Sequence, residues 1–194
     1  MEKKKIKRCA WPTNDPLMIK YHDKEWGVPV HNDRKLFEFL LLEGFQAGLS
    51  WRTILNKRES FRRAFDNFDF NKVVFYNKRK INSLMKDAGI IRNKLKIESA
   101  VTNAKAFIEV RKQFGTFDKY IWGFINNKPI ISNHKRLKDL PASIKLSNLI
   151  SADLKKRGFK FVGTTIIYAH MQATGMVNDH TIDCFRYKQI LNLK

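Results

Sequence analysis

The stretch "NDRKLFEFLLLEGFQAGLSW", residues 32–51, constrains the fold more than any other part of the chain. Asn32 or Asp33 can cap the start of a helix, because both side chains accept hydrogen bonds from free backbone N–H groups. From there, apolar side chains recur at helical spacing along one face. They are Leu36, Phe37, Leu40 and Leu41. The stretch therefore predicts an amphipathic helix that packs against a core.

The rest of the chain has shorter helical patterns separated by Gly, Pro and Asn turns. Short helices or turns are predicted at 66–77, 79–88, 92–113, 117–125, 147–157 and 161–174. Gly158 and Gly175 follow the last two, at the position where glycine commonly ends a helix. Alternating β patterns are scarce, and the sequence contains no Asn-Gly or Asp-Gly dipeptide typical of hairpin turns. The sequence predicts an all-α fold, with residues 1–194 as one domain.

The charge balance is strongly basic. Lys and Arg total 38 against 18 for Asp and Glu, which gives a net charge of +20. The basic residues form clusters, among them "EKKKIKR", "NKRK", "RNKLK", "HKRLK" and "LKKRGFK". Clustered positive charge is typical of nucleic-acid binding, and a solvated basic surface is the alternative.

No run approaches the ~20 apolar residues that a membrane helix needs. The N-terminus "MEKKKIKRCAW" lacks the apolar stretch of a secretory signal. The chain has 2 cysteines, too few for a disulfide framework. These features predict a cytoplasmic protein with reduced thiols and no membrane association.

Glu43 lies on or beside the apolar stripe of the first helix, seven residues after Leu36 and three after Leu40. Burying an unpaired carboxylate costs several kcal/mol or raises its pKa. Glu43 therefore needs a partner or a function, unless it reaches solvent or an arginine at the edge of the stripe. "GLSW" ends this helix and presents Trp51.

The segment "YHDKEWGVPVH", residues 21–31, combines a histidine and acidic residues with Tyr21 and Trp26. Large rings and polar groups in a weakly helical segment favour a functional site. A packed loop anchored by Trp26 is the alternative.

The segment "LMKDAGIIRNKLKI", residues 84–97, joins two helical patterns with almost no loop. Gly89 would allow the tight joint, and the second helix would start there with free N–H groups that can bind a phosphate. Arg92, Lys94 and Lys96 add positive charge. The motif resembles a helix-hairpin-helix, which grips the DNA backbone without reading sequence. An ordinary helix–turn–helix connection remains the alternative.

The two cysteines lie near opposite ends of the chain, and each has a histidine nearby. Cys9 precedes His22, and His180 precedes Cys184 by four residues. Two Cys and two His make a complete ligand set for tetrahedral zinc. The two halves are far apart in the chain, so the pattern alone leaves open a free thiol and surface histidines. Another histidine, His170, lies in an apolar helix and is predicted to be a core residue.

Taken in order, four long strings resemble the bacterial 3-methyladenine DNA glycosylase I family. They are "DPLMIKYHDKEWGVP", "LFEFLLLEGFQAGLSW", "DAGIIRNKLKI" and "LKKRGFKFVGTTIIYAHMQATGMVNDH". With "RCAW" and "DCFRY" at the two ends, the resemblance covers nearly the whole chain. It implies an α-helical fold of the helix-hairpin-helix glycosylase superfamily, with the hairpin at about 79–113.

The resemblance also implies one structural zinc ion that ties the chain ends together. The matching ligands are Cys9, His22, His180 and Cys184. A closed Cys2His2 site has no open position for water, so its expected role is stability. Metal binding free energy then becomes folding free energy.

The activity that the resemblance implies is base-excision repair of alkylated duplex DNA. The enzyme would flip out N3-methylated adenine, hydrolyse its N-glycosidic bond without lyase activity, and release free 3-methyladenine. The base pocket maps to Tyr21, Glu43 and Trp51, with Trp26 as a further lining residue. Electron-rich rings would stack on the cationic base with a cation–π energy of roughly 0.5–2 kcal/mol. Nothing in the sequence demands more than a monomer.

Glu43 is the candidate catalytic residue, but its expected contribution to catalysis is limited. The cationic base leaves as a neutral molecule, so a carboxylate that only binds the cation stabilises the ground state. We therefore expect Glu43 to recognise and position the base, and to assist catalysis only as far as it interacts with the sugar cation. Leu49 is the expected wedge in the duplex gap. Met18 stands where we expect an aromatic residue of the pocket wall.

Three other functions fit the sequence less well. An iron–sulfur glycosylase-lyase needs four cysteines, and zinc deaminases need His-x-Glu and Pro-Cys-x-x-Cys strings that the chain lacks. A non-catalytic helix-hairpin-helix DNA-binding protein would explain the charge and Gly89. It would not explain a glutamate on an apolar stripe.

Overall fold

The structure is a computed structural model that describes residues 6–193. Its helices are α1 (Pro16–Lys24), α2 (Asp33–Gln46), α3 (Trp51–Ala64), α4 (Phe70–Val73), α5 (Lys78–Leu84), α6 (Lys94–Phe114), α7 (Phe117–Gly123), α8 (Lys145–Lys156), α9 (Thr164–Ala173) and α10 (Phe185–Leu191). Single 3₁₀ turns lie at Asp66–Phe68 and Leu137–Asp139. Lys3, Lys4 and Lys5 of the first basic cluster lie outside the described residues.

The prediction of an almost entirely helical protein is confirmed. The exception within residues 6–193 is a ladder of two short strands, β1 (Ile130–Ile131) and β2 (Val177–Asn178). They pair in parallel, with Ile130 opposite Val177 and Ile131 opposite Asn178. Two-residue strands give too short an alternation to be seen in the sequence. None of the described helices has the length and apolar character to cross a bilayer.

Helix α2 is the central helix of the main core. Asn32 caps it by accepting a hydrogen bond from the Lys35 N–H at 3.0 Å, as predicted. Residues 36–45 are all buried, and α2 packs on α3, α6, α7 and α9. The predicted stripe Leu36, Phe37 and Leu40 therefore lies in the core, and the helix is enclosed on nearly every side. A buried helix holds Glu43 in the interior as well.

Three of the predicted helices are shorter in the structure than the sequence pattern indicated. The helix predicted at 79–88 ends at Leu84, and the one predicted at 92–113 begins at Lys94, because Asn93 caps it through the Lys96 N–H. The helix predicted at 161–174 begins only at Thr164. By contrast, Gly158 and Gly175 have φ of +91° and +72°, so both end their helices in the left-handed region as predicted.

Gly89 is required for a different reason from the one we expected. The chain between α5 and α6 is a full loop at 85–93, and φ at Gly89 does not lie in the left-handed region. A Cβ at this position would lie 2.9 Å from Ser60 Cβ and from Asp87 Oδ1. The glycine therefore allows the loop to pack closely against α3.

Candidate metal centre and aromatic pocket

Both ends of the described chain meet at a cluster of four buried ligand atoms. Cys9, His22, His180 and Cys184 each offer one, and all four lie within 4.8 Å of one another. Cys9 precedes α1, His22 lies in α1, and Cys184 caps α10. The structure thus brings together the four residues that the sequence predicted as one site.

The distances within this cluster fit a tetrahedral metal ion. His180 Nδ1 lies 3.5 Å from both Cys9 Sγ and Cys184 Sγ, and His22 Nε2 lies 3.5 Å from Cys184 Sγ. Ligand bonds of ~2.3 Å to sulfur and ~2.05 Å to nitrogen in a tetrahedron place S and N ~3.5 Å apart. Hydrogen bonds from Cys9, His180 and His22 lower the pKa of the Cys184 thiol against the effect of burial. The thiolate is the form that ligates metals.

Groups around the ligands hold the two imidazole rings in place. His22 Nδ1 lies 2.8 Å from Asp23 Oδ1, and Arg8 donates to the same carboxylate at 2.7–3.0 Å. His180 Nε2 lies 3.0 Å from the Trp26 carbonyl oxygen. Each histidine therefore uses its second nitrogen outside the cluster, which fixes the ring orientation and presents the other nitrogen to a metal.

An aromatic pocket of about 220 Å³ lies beside the metal centre. Its walls contain all four residues predicted for the base pocket, namely Tyr21, Trp26, Glu43 and Trp51. The other lining residues are Trp11, Gln46, Leu137, Leu140, Ala169 and Gln172. We did not predict these. Trp11, two residues after a metal ligand, carried a sequence signal that could have placed it here.

The rings of the pocket stand at angles to one another. The centroids of Tyr21 and Trp51 are 5.2 Å apart at 47°, and those of Trp11 and Trp26 are 5.1 Å apart at 72°. Trp11 also packs edge-on against His22 at 5.3 Å. Met18 packs against the hydrophobic cluster that contains Tyr21 and Trp26, and it does not line the pocket.

Glu43 brings into this apolar setting a carboxyl group that has no partner within residues 6–193. The residue is 4% exposed, and burial raises its pKa to about 8, with no ion pair or hydrogen bond to oppose the shift. The pKa of Tyr21 is raised well above 10 by burial and then by the charge of Glu43. Tyr21 therefore stays neutral beside Glu43 at physiological pH.

Gln172 lines the pocket with its amide held in one orientation. Its Nε2 donates to Asp179 Oδ2 at 2.8 Å, and the Tyr168 hydroxyl donates to the same oxygen. A carboxylate accepts but does not donate, so only the NH₂ end of the amide can face Asp179. The side-chain oxygen Oε1 of Gln172 is consequently the end of the amide that does not face Asp179.

Two indole N–H groups of the pocket residues are also unpaired. Trp11 Nε1 and Trp51 Nε1 are buried without a hydrogen-bond partner among the described residues. Both rings line the pocket, but their nitrogen atoms lie below its surface.

The predicted DNA-contacting residues differ in accessibility. Arg92 and Lys94 are exposed at the start of α6, and Leu49 is 41% exposed in the loop between α2 and α3. Lys96 is 7% exposed, and its ammonium donates to the carbonyl oxygens of Phe45 at 2.9 Å and Ala47 at 2.5 Å. In this structure the charge of Lys96 therefore caps the C-terminal end of α2.

His170 is a core residue, as predicted. It is buried in α9, with Nε2 3.2 Å from the Leu36 carbonyl oxygen. Burial lowers its pKa to about 4, so it is neutral and takes no part in the pocket.

Comparison with known proteins gives a consistent result. The family model described as methyladenine glycosylase matches residues 11–187. DNA-3-methyladenine glycosylase 1 of Escherichia coli is 47% identical over 182 residues, which are 94% of this chain and 97% of that protein. A crystal structure of 3-methyladenine DNA glycosylase I has a TM-score of 0.89, 46% identity, and coverage of 92% and 98% of the two chains. A Tyr-to-Phe variant of such an enzyme, in complex with 3-methyladenine, has a TM-score of 0.89 at 34% identity, with coverage of 92% and 96%.

Proposed function

This chain belongs to the methyladenine glycosylase family and is a hydrolase of N-glycosyl bonds. We propose the following substrate and reaction for it. It flips N3-methylated adenine out of alkylated duplex DNA into the aromatic pocket, hydrolyses the glycosidic bond, and releases free 3-methyladenine. It carries no lyase step. A complex of a relative with 3-methyladenine supports this choice of base.

The aromatic walls suit a flat cation. Tyr21 and Trp51 lie close enough to share one base, with ring centroids 5.2 Å apart. 3-Methyladenine in DNA carries a positive charge, and a cation on an aromatic face gains roughly 0.5–2 kcal/mol. Unmodified adenine is neutral and gains less, so the rings select for the alkylated base.

Two acceptors can receive the exocyclic amine of adenine. Glu43 supplies an unpaired carboxyl oxygen, and Gln172 supplies the carbonyl oxygen that its bond to Asp179 leaves free. A cation in the pocket favours the ionised form of Glu43, because an opposite charge nearby lowers a carboxyl pKa. The unpaired carboxyl of Glu43 in an aromatic pocket is the single observation that carries this function.

We assign zinc to the metal centre. Two thiolates and two imidazoles at tetrahedral spacing fit Zn²⁺, and the second nitrogen of each ring already has a partner. With four protein ligands the ion keeps no open position, so its contribution is to fold stability and it supplies no catalytic water.

The DNA backbone binds at the hairpin formed by α5, the loop 85–93 and α6. The exposed side chains Arg92 and Lys94 and the first-turn N–H groups of α6 contact phosphates, and Gly89 keeps the loop close to α3. Leu49 fills the gap that the flipped base leaves in the duplex. The net charge of +20 attracts the polyanion from a distance.

The test is base release from methylated duplex DNA by wild type and Glu43→Gln, with the free bases separated by chromatography. We expect wild type to release 3-methyladenine and to leave 7-methylguanine bound, and we expect Glu43→Gln to lose most of that release. Glu59→Gln, on the exposed face of α3, is the matched control and retains activity. A folded, zinc-loaded wild type that released no base would be a DNA-binding protein without this activity.

A further inference from the structure

One side of the aromatic pocket is formed by the connection between β1 and α8. This connection contains the 3₁₀ turn Leu137–Asp139. Two of its side chains, Leu137 and Leu140, line the pocket. Leu137 is 43% exposed, so it stands at the rim of the pocket and not in its floor. The connection therefore borders the opening of the pocket.

Residues 135–143 of this connection, here called the strap, are attached to the rest of the protein at their two ends. Before the strap, the Ile182 N–H donates to the His134 carbonyl oxygen at 3.0 Å. After it, the Ile144 N–H donates to Ser147 Oγ at 3.0 Å. Within the strap, every hydrogen bond and ion pair that the described part of the chain contains joins two strap residues. The strap can therefore shift without breaking a hydrogen bond to the body of the protein.

Internal bonds give the strap a shape of its own. The Arg136 N–H donates to Asp139 Oδ2 at 3.0 Å, and the Arg136 guanidinium donates to Asp139 Oδ1 at 3.2 Å. The Leu140 N–H donates to the Leu137 carbonyl oxygen at 3.2 Å. None of residues 135–143 is buried. The turn is thus braced from within and not by packing, and its two leucines move together.

The strap also carries most of the basic cluster "HKRLK". Arg136 is paired with Asp139. Lys135 and Lys138 are exposed and have no ion-pair partner within residues 6–193. A flipped nucleotide leaves its neighbouring phosphates outside the opening of the pocket. Lysine places its charge on a flexible four-carbon stem, so a segment at the rim can reach them.

We propose that the strap is a DNA-binding element, in which Lys135 and Lys138 bind backbone phosphates beside the flipped nucleotide and thereby hold Leu137 and Leu140 against the base. This inference rests on the proposed function and adds to it a phosphate-binding surface separate from the hairpin of α5 and α6. Ordering a segment costs conformational entropy, and the phosphate contacts offset that cost. DNA therefore closes the strap, and the free base alone does not.

The salt dependence of DNA binding tests the phosphate contacts. The probe is a duplex with a tetrahydrofuran abasic analogue, which binds without a base to release. We expect Lys135→Ala and Lys138→Ala each to reduce the slope of log affinity against log salt by about 1, and to bind free 3-methyladenine as wild type does. Lys119→Ala is the matched control, because this exposed lysine lies beyond the C-terminal end of α6, the end opposite to the hairpin.

The leucines should behave in the opposite way. We expect Leu137→Ala to keep the wild-type salt slope on the same duplex, because it removes no charge. It should release 3-methyladenine from methylated DNA at least ~5-fold more slowly, since a less firmly placed base reacts more slowly.

Amide hydrogen exchange tests the closing of the strap directly. We expect exchange in a peptide covering 135–143 to be at least ~10-fold slower in wild type on the tetrahydrofuran duplex than in the free protein, because ordered backbone opens less often. The double variant Lys135→Ala/Lys138→Ala, saturated with the same duplex, should lose this protection. Saturation separates the closing of the strap from a general loss of affinity.

Two results would overturn the proposal. Unchanged salt slopes in both lysine variants would show that the strap makes no phosphate contact, and equal exchange of free and DNA-bound wild type would show that DNA does not order it. Both measurements are independent of base release. A wild type that bound the duplex through the strap but released no 3-methyladenine would therefore contradict the proposed function and not this inference.

Discussion

The metal centre and the aromatic pocket lie side by side, yet they differ in how their polar atoms are satisfied. At the metal centre, His22 and His180 each have an outer partner, and the Thr181 N–H donates to Cys9 Sγ at 3.4 Å. In the pocket, the carboxyl of Glu43 has no hydrogen-bond or ion-pair partner among the described residues. Ligand rings whose second nitrogens have outer partners suit a structural role, and an unpaired carboxyl in a cavity suits the binding of a ligand.

Loss of the metal should have the largest effect. Cys184→Ser, or chelation of the wild type, should lower the free energy of unfolding by more than about 4 kcal/mol, because metal binding energy is folding energy. Chemical denaturation with and without chelator measures the change. A wild type whose stability did not respond to chelator would show that no metal contributes to the fold.

The buried carboxyl should make stability depend on pH in a defined direction. The folded-state pKa of Glu43 is raised from 4.5 to about 8, so folding opposes its ionisation, and stability falls as pH rises from the unfolded pKa to the folded one. Relative to Glu43→Gln, wild type should lose about 2 kcal/mol between pH 5 and pH 7. Urea unfolding of both proteins at the two pH values measures this. A constant difference would mean that Glu43 has a partner in the free protein.

The orientation of Gln172 should matter for binding more than for stability. Gln172→Met removes the acceptor at the pocket edge and keeps a similar volume, so free 3-methyladenine should bind about 10-fold more weakly, a cost of about 1.4 kcal/mol. Gln113→Met, on the exposed surface of α6, serves as the control. Unchanged affinity in Gln172→Met would remove Gln172 from base recognition.

The smallest effects are expected for variants of Lys96 and Arg92. The first should change fold stability and the second DNA binding. Lys96→Met should cost about 1 kcal/mol of stability, because the last carbonyls of α2 lose their donor, and should leave the salt dependence of DNA binding unchanged. Arg92→Ala should do the reverse and reduce the slope of log affinity against log salt by about 1. A reduced slope in Lys96→Met would restore it as a phosphate contact.

The sequence predicted the parts of this molecule that depend on local patterns or on long motif strings. The periodicity of residues 32–51 predicted α2 and its cap, and the two Cys–His pairs with the family resemblance predicted the cluster at the metal centre. Three-dimensional packing determined the rest. The reason for Gly89 is a contact with Ser60 on another helix, and the bond that buries Lys96 joins α6 to α2. Neither contact produces a periodic pattern in the sequence.

The pocket shows the same limit. Tyr21, Glu43 and Trp51 were predictable because they lie in the strings that carry the resemblance. Gln172 lies in one of those strings too, but its role depends on a hydrogen bond to Asp179 across the turn from α9 to β2. Only the structure shows which end of that amide is free.

The most direct test of the central claim is the binding of free 3-methyladenine and adenine, followed by tryptophan fluorescence, since Trp11, Trp26 and Trp51 line the pocket. If the pocket is complementary to the alkylated base itself and not only to its charge in DNA, wild type should bind the neutral free 3-methyladenine at least ~10-fold more tightly than adenine, a difference of about 1.4 kcal/mol, and Glu43→Gln, with an altered acceptor, should lose most of this preference. Equal binding of the two bases, or a Glu43→Gln variant that bound 3-methyladenine as wild type does, would contradict the account.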